Sequence, residues 1–384
     1  MIYRQEGYVL KEIEGVSVLL PVGQAVADQK KAVTLNETGV FLWKMLHTGR
    51  SKEELTGALV QQYEAEGIKK EEIQKDAEEF TEQMLAMGIF REELRRTNEP
   101  FYGCMKIADL SVNLYGKKVF FSECFTPFLA EEGKTPDMEL EIINAVPKSR
   151  QNGTILLQNR EMTICKREDG YVVRFPTMEN IVEAYMTENG EYARIYCLFL
   201  SDMQKERENL FHAVRLFFLY RAQKSGYTAI HSASICYRRK AWLFAGHSGC
   251  GKSTHTALWK KWVGTPYLNG DLNLVGRDET GRWNVYGIPW CGTSGISTVE
   301  TVELGGIVLL EQAKEDQVKP LSGYEKVLRV MQRMISPAWT EELLDRNLQS
   351  AEKLEKEIPV YHLQCTKNPS AVDVIREQMD DPEV

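Results

Sequence analysis

The segment Gly246-His247-Ser248-Gly249-Cys250-Gly251-Lys252-Ser253 constrains this chain more than any other. It fits the pattern GxxxxGK[ST] at every fixed position, with the apolar run WLFA before it and THTALWKKW after it. That context asks for a strand, a tight glycine loop and a helix opening at Lys252. Glycines let the backbone wrap an anion, and successive amides plus the helix N-terminus face it. Lys252 can then reach the β- and γ-phosphates of ATP, while the Ser253 hydroxyl can ligate Mg²⁺. The expected nucleotide contacts run from Gly246 through Ser253 to Thr254. The bland alternative is a glycine turn that binds nothing. Motors, transporters, kinases and switches all share such a loop, so its neighbours must decide the reaction.

The bulk numbers narrow the choice. At 384 residues the chain is long enough for two or three domains. No stretch of 18 apolar residues occurs, which argues against a membrane span. The start, MIYRQEGYVLKE, lacks the apolar core of a secretory signal. A net charge of −8 opposes a nucleic-acid partner, whose phosphates require a basic surface. The eight cysteines stand singly, without CxxC spacing, so neither a zinc cage nor a redox dithiol is indicated. Reduced thiols in a cytoplasm are the expectation. Nothing in the sequence decides whether the chain forms a homo-oligomer.

Residues 1–92 read as a unit of their own. Two apolar runs, Tyr8–Ile13 and Val16–Pro21, flank Glu14-Gly15 and predict a hairpin, with a further strand over 31–35. Asn36 is placed to cap a helix carrying Val40, Leu42, Trp43 and Leu46, and Ser51 with Glu54 has capping-box spacing for a second. A third carries Ile73, Ala77, Phe80, Met84 and Met87 at helical spacing. Strands followed by three short helices make a winged-helix-like module. Residues 93–105 are polar with a Pro and a Gly, the signature of a linker.

From 106 to 225 the pattern predicts a β-rich layer, with strands at 117–121, 154–157, 162–166, 171–175 and 193–200, closed by an apolar helix over 209–224. Residues 226–384 form the nucleotide core. Strands are predicted at 230–237 and 241–245 around the turn Arg238-Arg239-Lys240, then at 267–275, 282–288 and 302–311. Helices follow at 325–335 and 340–357, then a strand at 360–363 and a helix over 370–379. The class is α/β (α+β).

His231 opens the strand that pairs with the loop strand, where a lone histidine is often structural. Asp271, in LNGDLNL, ends a strand and could hold Mg²⁺, accept a hydroxyl proton, or simply form a turn. Taken together, HSAS, FAGHSGCGKST, YLNGD and YGIPWCG resemble the nucleotide site of HPr kinase/phosphorylase and the phosphoenolpyruvate carboxykinases that share its fold. The resemblance extends over roughly 100 to 380, with specific motifs only in 231–295. It implies a P-loop kinase domain with catalytic His231, Lys252 and Asp271, and with Ser253 and Asp271 at the metal. One departure stands out. The relatives usually carry two adjacent acidic residues where this chain has Gly270-Asp271-Leu272, so whether Asp271 is base or metal ligand stays open, as does a degenerate enzyme.

Other positions carry paired readings. Asn273 is a metal-directed oxygen or a strand residue. Trp290, within the loop 287–295, belongs to a substrate-side loop or fills a core. Cys291 has no basic neighbour to activate it. Glu311 is a water-positioning carboxylate or the solvent end of a core strand, and Arg329 with Arg333 clamp phosphate or line a solvated face.

Residues 1–92 resemble the PqqD family through VSVLLPVG, TLNETGVFLWKML, SKEELTGALVQQY and the helix ending LAMGIF. That resemblance implies recognition of the leader of a ribosomally made precursor peptide, which physically would add a strand to an exposed sheet edge. DNA reading or dimerisation are the alternatives. Joined, the halves describe an ATP-dependent kinase acting on a Ser or Thr hydroxyl of a captured peptide. A small-molecule kinase, for free serine for instance, a carboxykinase-like lyase and a non-catalytic peptide-binding chaperone are the rivals.

Overall fold

The structure, a computed structural model, describes residues 2–5, 7–27, 29–63, 69–92, 96–131, 135–147, 153–167, 169–199 and 202–380. The chain divides into two compact units, one built mainly on Met1–Asn98 and the other on Glu99–Ala145 with Gly153–Val384.

In the front unit, Tyr8–Ile13 and Val16–Pro21 pair antiparallel, and Val33–Leu35 joins on the far side of the second strand. Glu14 (φ 51°) and Gly15 (φ 81°) are both left-handed, the geometry a two-residue hairpin turn needs to match strand twist. Asn36 caps the helix Glu37–Met45 by accepting from the Gly39 amide at 2.8 Å. Ser51 and Glu54 exchange bonds of 2.8 and 3.1 Å ahead of Lys52–Tyr63. The third helix, Lys70–Ala86, buries Ile73, Ala77 and Met84 against Leu42, Trp43, Leu55 and Leu59. Met87 falls outside this pattern. It is the residue that ends the helix, and its side chain turns to solvent. A pairing of Ile2–Arg4 with Phe90–Glu92 brings the two ends of the unit together, a long-range contact that local periodicity does not announce.

The second unit begins earlier than a linker over 93–105 would allow. Strand Phe101–Ile107 occupies the latter part of that segment and pairs with Leu110–Tyr115. These belong to a nine-stranded sheet that also takes in Met138–Asn144, Thr154–Gln158, Thr163–Lys166, Gly170–Arg174, Ile181–Thr187 and Tyr192–Cys197. The strand expected over 117–121 is absent. Lys118–Phe120 forms a 3₁₀ turn, because Phe120 and Phe121 both point into the core and so break strand alternation.

Helix Met203–Lys224 starts about two turns before its first buried apolar residue, Leu210, and is capped by Asp202, whose side chain accepts from the Lys205 amide at 3.1 Å. It buries Leu210, Val214, Phe217 and Phe218 in a core shared with the nine-stranded sheet and with Ile288 and Trp290. Each such fully buried side chain stabilises by about 1.5–3 kcal/mol.

The seven-stranded sheet builds the site. Lys240–Ala245 pairs antiparallel with Thr228–Tyr237 and parallel with Thr301–Gln312. Thr228–Tyr237 pairs onward with Leu272–Arg277, that strand with Trp283–Tyr286, and that one with the start of Thr301–Gln312. Five strands therefore close on themselves, which removes free edges around the glycine loop. The far half of Thr301–Gln312 pairs parallel with Val360–Cys365. Among the described residues no helix is long and apolar enough to cross a membrane.

Candidate functional site

The buried strand Lys240–Ala245 delivers the chain into the loop at Gly246. Only glycine fits there: a β-carbon would come within 2.4 Å of Cys250 Sγ and 2.9 Å of the Leu310 carbonyl oxygen. Gly251 (φ 102°) then turns left-handed to become the N-cap of helix Lys252–Trp262. The amides of Gly249, Gly251, Lys252 and Ser253 make no hydrogen bond among the described residues, as expected of a helix start awaiting an anion. Lys252 folds back over the loop, with Nζ 3.3 Å from the Gly246 carbonyl. His247, Ser248, Ser253 and Thr254 are exposed, whereas Cys250 is buried beneath the loop. Gln312, at the end of the neighbouring strand, donates to the Gly249 carbonyl at 2.9 Å.

His231 and Asp271 meet beside this loop. The Ser232 amide donates to the Asp271 carbonyl at 3.0 Å, and the His231 amide donates to the Arg333 carbonyl at 2.8 Å. These bonds bring His231 Nδ1 to 3.4 Å from Asp271 Oδ1. Burial holds the His231 imidazole below its ordinary pKa; Lys252 and Arg333 push the same way and Asp271 opposes them. These influences together favour the neutral ring. His231, Lys252 and Asp271 thus share one electrostatic neighbourhood, with Arg333 at its margin.

Strand alternation assigns Asn273 a different role. It is fully buried, donates to the Ser232 carbonyl at 2.7 Å and to Ser232 Oγ at 2.9 Å, and accepts from Ser234 Oγ at 2.6 Å. It is held within the sheet by bonds to Ser232 and Ser234. Trp290 is also a core residue, its Nε1 donating to the Phe211 carbonyl at 2.9 Å and its ring packed on Phe125, Phe211 and Phe218. The chain just after it turns back on the site, with Gly292 against the Asp271 carboxylate and Ser294 against Gly270. Burial raises the pKa of the Cys291 thiol, which disfavours the reactive thiolate. Glu311 is engaged by His362 at 2.7 Å and Arg329 at 3.9 Å, so Arg329 is paired too. Arg333 is half-buried with no side-chain partner among the described residues.

One charged group near the site gave no sequence signal. Arg215 lies within the helix Met203–Lys224, in a stretch dominated by apolar residues. Burial lowers its pKa, and Asp271 is the first carboxylate whose field restores it.

Among the described residues no three His, Cys, Asp or Glu side chains converge as a metal cage. Mg²⁺ does not need one, since it is commonly held by one or two protein oxygens, phosphates and water. The exposed Ser253 hydroxyl and the Asp271 carboxylate fit that modest requirement.

In the front unit, Tyr8–Ile13 is an outer strand of the three-stranded sheet, paired on one side only among the described residues, and Val9, Ile13 and Val16 are exposed along the hairpin. Residues 16–89 match the family described as Coenzyme PQQ synthesis protein D (PqqD). The front unit carries a PqqD-like domain. Such a domain is a peptide-recognition element for ribosomally made, modified peptides. The match begins within the hairpin and ends just past the third helix, so the PqqD-like domain takes in most of the hydrophobic core described for this unit. No curated protein matches the chain.

Proposed function

We propose that the chain is an ATP-dependent kinase that transfers the γ-phosphoryl group to a Ser or Thr hydroxyl of a ribosomally made precursor peptide captured by the PqqD-like domain. The observation that carries this reading is the convergence of Lys252, His231 and Asp271 around a glycine loop in which the amides of Gly249, Gly251, Lys252 and Ser253 make no hydrogen bond among the described residues.

Phosphoryl transfer needs positioning and charge neutralisation more than covalent chemistry from the protein. Loop amides and Lys252 would hold the β- and γ-phosphates of ATP. Mg²⁺, held by Ser253 and Asp271, would neutralise charge on the same oxygens. The acceptor oxygen bonds to the γ-phosphorus as the bond to the β-phosphate oxygen breaks, and ADP leaves. The hydroxyl proton passes to Asp271, with neutral His231 beside it to orient the carboxylate. Leader capture raises the local concentration of the acceptor to about the millimolar range for a short tether. Weak contacts at the chemical site then suffice. The reading places the protein in the cytoplasm, where ATP and a nascent precursor meet.

The rival is a peptide-binding chaperone with a relic nucleotide site. Its support is the single carboxylate, since the neighbours of Asp271 are Gly270 and the buried Leu272. Incubation with γ-labelled ATP, Mg²⁺ and candidate precursor peptides separates the two. Label on a Ser or Thr that depends on the leader supports the kinase; leader binding without transfer supports the chaperone, and transfer to free serine without any peptide supports a small-molecule kinase.

A further inference from the structure

We infer that a cavity remote from the glycine loop binds a small hydroxylated oxyanion, a phosphate or carboxylate on a skeleton about the size of a sugar. The site is separate from the one assigned to the nucleotide and does not depend on the kinase reading.

The cavity encloses about 330 Å³, within the range of about 300–1,000 Å³ usual for small-molecule sites. It lies between the turn that leads from helix Met203–Lys224 into strand Thr228–Tyr237, the side chains of Arg277 and Trp283, and helix Glu341–Glu357. Bonds between these elements frame it. Ser350 Oγ lies 2.6 Å from Thr228 Oγ1, and Glu357 accepts from Trp283 Nε1 at 2.9 Å while it pairs with Arg277. Thr228 stands three residues before His231 on one strand, about 10 Å away, and Arg277 stands six residues after Asp271, about 20 Å away. The cavity is therefore at the opposite strand ends from the glycine loop.

Charge is sorted here against the bias of the chain. Net charge is −8, and helix Glu341–Glu357 is richer in acidic than in basic residues. Yet Arg277, Arg346 and Lys353 line the cavity, and among the described residues no carboxylate does. Arg346, Ser350, Lys353 and Glu357 are spaced four, three and four apart and share one helix face. Asp345 and Glu352 project about 100° round the helix from their basic neighbours. The two carboxylates that approach are already engaged, Glu357 by Arg277 and Trp283, and Glu342 by Arg346 at 3.1 Å and Lys224 at 2.9 Å. Lys353 has no partner among the described residues. Cations are thus in excess, and the Arg277 guanidinium is steadied 4.9 Å over the Trp283 ring.

Guanidinium forks and an ammonium in one concavity suit the oxygens of a phosphate or carboxylate. The rest of the lining suits hydroxyl groups. Gln349 is exposed and without a partner among the described residues. Gln223 is buried, and its Nε2 donates to the Pro337 and Leu343 carbonyls and to Asn347 Oδ1. Its Oε1 is left buried without a partner. An orphaned acceptor is costly, and a ligand hydroxyl or a bridging water relieves it.

Three matched probes test this: glucose 6-phosphate, glucuronate and glucose, which carry a phosphate, a carboxylate or no charge at the same position. The full chain is labelled with 5-fluorotryptophan, and the Trp283 fluorine resonance is assigned through Trp283→Phe. At least one anion should shift that resonance and bind tenfold or more tighter than glucose, the size expected of charge-assisted hydrogen bonds. Whichever binds tighter identifies the anionic group. Arg346→Gln combined with Lys353→Gln should bring anion and glucose within about twofold, whereas Lys353→Arg should retain most of the preference. Lys252→Ala should leave it intact, because the glycine loop is not the site probed. A Trp283 resonance indifferent to both anions overturns the inference without reliance on any charge variant. Equal binding of all three probes overturns it too, as does a preference that survives the double substitution or disappears in Lys252→Ala.

Discussion

Gly292 lies so close to Asp271 that a β-carbon added to it would come within 2.7 Å of the carboxyl carbon. Its φ of 58° is also in the left-handed region, where an L side chain costs about 1–2 kcal/mol. Two independent constraints thus converge on one residue outside the glycine loop. Gly292→Ala should displace the carboxylate without altering any charge. We expect phosphoryl transfer to fall at least tenfold while ATP affinity stays within about twofold. Comparison of steady-state rates with nucleotide titration calorimetry checks this, and an unimpaired rate would detach the loop from the chemistry.

Lys252→Ala removes the cation that folds over the loop. Transfer should be lost to below detection, while leader-peptide binding by the full-length chain is unchanged. Peptide fluorescence anisotropy and label transfer, measured on the same preparation, give both readouts. Continued phosphorylation by this variant would rule out the mechanism.

Asp271→Asn keeps the shape and removes the proton acceptor. A loss of about 10²–10⁴-fold in kcat is expected, several kcal/mol at most, with ATP binding largely retained. A wild-type rate would remove Asp271 from the site.

His255 gives a prediction about stability alone. It lies buried one turn into the helix after the loop, accepts from Trp259 Nε1 at 3.2 Å, and burial lowers its pKa to about 4. The nearby Asp316 only partly offsets that. A histidine of ordinary pKa ~6.5 when unfolded binds more protons unfolded than folded below that value. Its neutral form therefore supports the fold above pH 6.5, and that support is lost as pH falls from 6.5 to 4, by on the order of 3 kcal/mol. Denaturant unfolding at pH 7, 5.5 and 4.5 should show a shallower decline for His255→Gln than for the wild-type chain. Parallel declines would refute the assignment.

The glycine loop was legible because its residues are dictated one by one: Gly246 by close packing, Gly251 by backbone hand, Lys252 by reach. The helix caps at Asn36 and Ser51 were legible for the same reason, since each is a local exchange of hydrogen bonds. Arg215 was not. Sequence marks its helix as apolar and buried, and nothing in that pattern ties the charge of Arg215 to Asp271. The apolar run at 117–121 misled in the opposite way, because two consecutive buried phenylalanines satisfy a tight turn and contradict a strand. Asn273 sat between two readings until strand register placed it on the same side as Ser232 and Ser234.

Gln312 belongs to a strand end far along the chain from the loop, yet its amide clasps the Gly249 carbonyl. With Lys252 gripping Gly246, the loop is cross-braced at two points by protein atoms alone. A cradle already stiffened gives up little freedom when its guest arrives, so association should carry a small entropic penalty and discriminate sharply by shape. On the proposed kinase reading, such rigidity would let the PqqD-like domain supply affinity while the glycine loop supplies selectivity.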